Sequence, residues 1–92
     1  MDETIYVNVG QLDYQNYVSY ALEDLLKHSD KRIVLRAIGA PAIFNVVRVI
    51  VALVNKKIIR EITNSKFYIM EGLEDKGSPL VIEVEINKKW GE

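Results

Sequence analysis

His28, Ser29 and Asp30 carry the functional groups of a nucleophilic triad, but they stand consecutively, so their side chains diverge and no relay can form. They read as a solvated turn. The carboxylate pairs Glu23-Asp24, Glu74-Asp75 and Glu83/Glu85 are the other candidates for proton chemistry. Glu83 and Glu85 fall on one face of a strand, where cross-strand pairing with Lys or Arg is the simpler role; acid–base work would need a desolvation that the pattern does not supply. With one histidine and no cysteine, a metal would need oxygen ligands, and no spaced acidic loop of the calcium-binding kind is present. Gly10 and Gly39 each stand alone, without a glycine-rich phosphate loop. These residues imply no enzyme, no metal and no cofactor.

Tyrosines can stack on unpaired bases. Tyr14 falls inside the apolar face of a helix, Tyr17 at its edge and Tyr20 beyond it, which leaves Tyr20 and Tyr68 as stacking candidates. Basic residues form three short clusters, Lys27/Lys31/Arg32, Lys56/Lys57/Arg60 and Lys88/Lys89, of the size that usually makes a solvated face. Twelve basic against thirteen acidic residues give a net charge of -1, so no global field draws this chain onto a polyanion.

The elements that must position these groups fit one domain, residues 1–92, about half apolar. Ile5, Val7 and Val9 alternate with Tyr6 and Asn8 in a short first strand. Asp13 is an N-cap for a helix over Tyr14 to Lys27, with Tyr17, Val18, Ala21, Leu22, Leu25 and Leu26 on one face. Arg32 to Ile38 reads as a central strand, and Gly39 and Pro41 turn the chain into a second helix ending near Asn55. Strand sequence resumes at Ile58 and runs to Met70. Glu71 to Pro79 forms a long hairpin loop, Leu80 to Ile86 a last strand, and Lys88 to Glu92 a frayed tail. The acidic start is unlike a signal peptide, and Arg36, Gly39, Pro41, Asn45 and Arg48 interrupt the apolar stretch from Ile33 to Val54, which argues against a membrane span. A cytoplasmic location follows.

The second helix has an unusual distribution. Its apolar side chains cover roughly 220° of the circumference, leaving Asn45, Arg48, Asn55 and Lys56 on the remainder. A helix lying on a sheet needs little more than 100°. Either the first helix or a loop covers the excess, or Phe44 and Val51, on the far edge, belong to a second contact surface.

The fold class is α/β (α+β): strand, helix, strand, helix, and two long hairpin strands, with two helices on one face of a mixed four-stranded sheet. This layout and three segments resemble the Alba family of small archaeal chromatin and RNA-binding proteins. The segments are Gly10 followed by Asn16-Tyr17-Val18; Arg36-Ala37-Ile38-Gly39, similar to the family's Lys-Ala-Arg-Gly turn; and Leu80 to Ile86 followed by Lys88-Lys89. The likeness runs from about Ile5 to Lys89, and Arg60-Glu61-Ile62 also resembles a family segment.

The departures fall where the family touches nucleic acid. Gln11 and Leu12 stand in place of paired lysines, Ile38 in place of an arginine, Ala40 in place of a basic residue and Phe44 in place of a lysine. Each change removes a phosphate contact, and losing about four per subunit costs several decades of affinity. The hairpin, often basic in the family, carries Glu71, Glu74 and Asp75 against Lys76 alone, and Asn55-Lys56-Lys57 lacks the apolar residue implicated in side-by-side packing along DNA. The resemblance implies a DNA- or RNA-binding, chromatin-associated protein with a depleted basic surface. It would act as a homodimer, or as the tuning half of a heterodimer with a more basic Alba protein, and be nucleoid-associated if binding is retained. Gln11, Leu12, Asn16, Arg36 and Lys76 are the family-equivalent or nearby contact positions, and Phe44, Val47, Val51 and Val54 the expected dimer interface. The alternative is a protein-interaction domain of the same fold that has lost nucleic-acid binding.

Overall fold

The computed structural model describes residues 3–28, 30–71 and 80–87. Six elements follow in order: β1 (Thr4–Asn8), α1 (Tyr14–Lys27), β2 (Arg32–Ile38), α2 (Ala40–Asn55), β3 (Ile62–Ile69) and β4 (Leu80–Ile86). The strands form one mixed sheet in the order β1-β2-β4-β3, with β1 and β2 parallel and the other pairs antiparallel. Both helices lie on one face, α1 over β1 and β2, α2 over β2 and the side of β4. Neither helix reaches β3. No described helix is long and apolar enough to cross a membrane.

Local chemistry sets the helix ends. The Asp13 carboxylate accepts from the Gln15 N–H at 3.0 Å, capping α1, and Lys27 in the last turn suits the negative end of the helix dipole. At the start of α2, Gly39 adopts φ 86°, a left-handed conformation that favours glycine, and Pro41 occupies the first turn. Val18, Ala21 and Leu25 of α1 and Val46, Val49 and Leu53 of α2 close over Ile33, Leu35, Ile82, Val84 and Ile86.

Several expectations change. The third strand begins at Ile62, not Ile58, because α2 ends in a Schellman turn. The Lys57 N–H donates to the Val54 carbonyl at 3.0 Å and the Ile58 N–H to the Leu53 carbonyl at 2.9 Å, with Lys57 at φ 60°. That reversal drives Ile59 wholly into the core, so the Ile58-Ile59 pair plugs the domain where a strand was expected. Leu26, expected on the buried face of α1, is 68% exposed, because the sheet supports a narrower stripe than the one drawn. Tyr17 is more deeply buried than Tyr14, and Asn45, assigned to the polar side of α2, is buried against the loop that precedes α1.

Candidate functional site

The positions that the resemblance assigns to nucleic acid gather where β1 and β2 end and both helices begin. A tight loop shapes this edge. Asn45 donates through Nδ2 to the carbonyls of Gly10 at 2.8 Å and Leu12 at 2.9 Å, lashing the loop to α2. The Tyr17 hydroxyl accepts from the Leu12 N–H at 3.2 Å, and a Cβ added at Gly10 would meet that same hydroxyl at 3.0 Å, a tight approach that a larger residue would relieve only by shifting Tyr17. Asn8, Gly10, Gln11, Arg36, Ile38 and Ala42 help to line a cleft of about 430 Å³.

Gln11 and Arg36 therefore share one cleft. Leu12, beside it, is exposed, and Asn16 donates its side-chain amide to the Asp13 carbonyl at 3.1 Å, bracing the cap. Lys76, with most of the hairpin loop and the Lys88-Lys89 cluster, lies outside the described residues. So does Ser29; the His28 backbone N–H donates to the Asp24 carbonyl and ends α1.

Arg36 turns toward the helix-free face of the sheet, where charges pair with one another. Arg32 donates through Nη2 to Glu85 Oε1 at 2.9 Å, while Glu83 lies 3.7 Å from Arg36 Nε and 3.8 Å from Lys66 Nζ. The Tyr68 hydroxyl donates to Glu83 Oε2 at 2.7 Å; this bond first, then desolvation, pushes the phenol's pKa above its ordinary range. The guanidinium of Arg36 also lies 5.4 Å from the centre of the Tyr6 ring. Glu83 and Glu85 thus serve as cross-strand ion-pair partners. Tyr68, a stacking candidate, is tied into this lattice, whereas Tyr20 is exposed and packs edge-on against Tyr17.

A second surface is apolar. Phe44 is 57% exposed, and Val47, Val51 and Val54 are exposed beside it, so no described segment covers them. Sequence reasoning missed the other half. In the sheet register Ile62 faces Ile86, Phe67 faces Ile82 and Ile69 faces Leu80, which puts all three on the helix side, where neither helix covers β3. Phe67 is 62% exposed and Ile62 and Ile69 are also exposed. A register shift between Ile62 and Asn64 places those two on opposite faces, contrary to simple alternation, which hid this set in the sequence. Because α2 stands on β4 and β4 pairs with β3, the bare strand runs alongside the bare helix.

No protein-family model and no curated protein matches the chain, which leaves its own residues to carry a reading of its function.

Proposed function

We propose that this chain is a divergent Alba-type DNA- or RNA-binding protein, with a weak grip on nucleic acid, that works as a dimer or as the tuning half of a heterodimer with a more basic chain. The observation that carries the nucleic-acid part is the cleft at the ends of the two parallel strands. It is lined by Gln11, Arg36 and, from the first turn of α2, Ala42, and among the described residues no carboxylate lines it. Crevices outside the carboxyl ends of parallel strands are common ligand sites, and helix N-termini favour anions. The dimer rests on the apolar band of Phe44, Val47, Val51 and Val54, extended by Ile62, Phe67 and Ile69, a patch that an isolated domain seldom leaves in water. On this reading the protein acts in the cytoplasm, at the nucleoid.

One observation favours the second reading, a protein-interaction domain: Lys27, Lys31, Arg32, Arg36 and Lys66 are all engaged by carboxylates of the same chain. Titration against duplex DNA and single-stranded RNA at two salt concentrations separates the two. Micromolar binding that weakens steeply with salt supports the nucleic-acid reading. No binding at either salt, by a protein that is dimeric, supports the protein-interaction reading.

A further inference from the structure

Arg48 is the one described arginine held in place by rings and by no carboxylate. It projects from the exposed side of α2 with its guanidinium 4.6 Å from the centre of the Phe44 ring and 6.0 Å from that of Tyr14. Arg32 and Arg36 are neutralised by Glu85 and Glu83. Among the described residues no carboxylate lies within ion-pair distance of Arg48, Lys56, Lys57 or Arg60, but only Arg48 of these four is fixed against aromatic rings. None of the 16 residues of α2 is acidic, and the acid at the start of α1, Asp13, is engaged as the helix cap by the Gln15 N–H. Among the described residues no carboxylate therefore neutralises the Arg48 guanidinium.

A guanidinium held over a ring by cation–π attraction uses none of its N–H donors in a conventional hydrogen bond, so they stay available to grip an oxyanion through two hydrogen bonds. It also settles in advance much of the rotamer entropy that a free arginine loses on binding. We propose that Arg48, steadied by Phe44 and Tyr14, is a phosphodiester-binding residue of this protein, placed on α2 beside the start of α1. The assignment rests on the nucleic-acid reading above and adds a specific contact to it.

The test is binding of wild type, Arg48→Gln, Arg48→Lys and Arg60→Gln to duplex DNA and to single-stranded RNA across a salt series, with the mass of each variant measured alongside. Arg48→Gln is expected to weaken binding about tenfold and to lower the salt slope by about one, as the loss of one phosphate contact should. Arg48→Lys should recover part of the affinity, and Arg60→Gln, which removes the same charge from an unheld side chain, should change little. The polymer that shows the Arg48 effect identifies the source of the phosphodiester. Wild-type binding that Arg48→Gln leaves unchanged in affinity and slope would overturn the Arg48 assignment while sparing the nucleic-acid reading. Equal losses for Arg48→Gln and Arg60→Gln would reduce Arg48 to general charge and overturn it as well. No binding of either polymer by wild type would overturn both.

Discussion

On the helix-free face of the sheet, Glu83 and Glu85 are met by Arg32, Arg36, Lys66 and the Tyr68 hydroxyl, and Val34 and Val81 on the same face are buried. On the helix side, beyond α2, Phe44, Val51, Phe67 and Ile69 have no such cover among the described residues. The first surface completes itself within one chain, because ion pairs and long side chains can seal a sheet without a second layer. The second cannot, since apolar groups are satisfied only by being removed from water. The contrast teaches that, on the proposed reading, the surface that takes a partner is the one without charges, even though charge is what the sequence most readily draws attention to.

The largest expected effect breaks the apolar side. Phe44→Asp or Val51→Asp should convert dimers to monomers in sedimentation equilibrium. At about 2 kcal/mol per subunit, the dissociation constant rises about a thousandfold. Glu83→Gln should do the reverse. It loosens Arg36, Lys66 and Tyr68 together and should lower stability to urea by about 1–2 kcal/mol while the mass in solution stays that of the wild type. A Glu83 variant that dissociates, or a Phe44 variant that remains dimeric, would erase the distinction between the two surfaces.

Smaller effects sharpen it. Lys57→Gly relieves a left-handed residue at the Schellman turn and should stabilise the chain by about 0.5–1 kcal/mol in the same urea experiment, again with no change in mass. The smallest effect belongs to the exposed pair Glu23–Lys27 on α1, at 2.6 Å. Its hydrogen bond and charge hold the Glu23 carboxyl below its usual range. A carboxyl lowered in the folded state adds stability that is full above its unfolded pKa and is lost as the pH falls through the lowered one. Carboxyl NMR titration should therefore find Glu23 protonating at a lower pH than an ordinary glutamate, with the shift abolished in Lys27→Gln.

Much of the fold was legible because its signals are local. Asp13, the face of α1 built on Val18, Ala21 and Leu25, the apolar run of β2 and the alternation of β4 mark their elements at the boundaries observed. The start of β3 was not legible, since a Schellman turn closed by lysine carries none of the glycine signal that such turns usually show, and Ile58-Ile59 has strand composition. Asn45 looked polar because its partners, the Gly10 and Leu12 carbonyls, are more than thirty residues away. Half of the apolar surface was visible as the excess arc of α2. The other half depends on a bulge in β3 and on how far α2 reaches across the sheet, which are properties of the assembled domain.

The most direct test of the claim that the α2–β3 surface is completed by a second copy of this chain is the molar mass of the purified protein by sedimentation equilibrium at micromolar concentration. The account predicts twice the chain mass of 10.5 kDa. A species of a single chain mass would contradict it, showing that Phe44, Val51, Phe67 and Ile69 stand in water without a partner of their own kind.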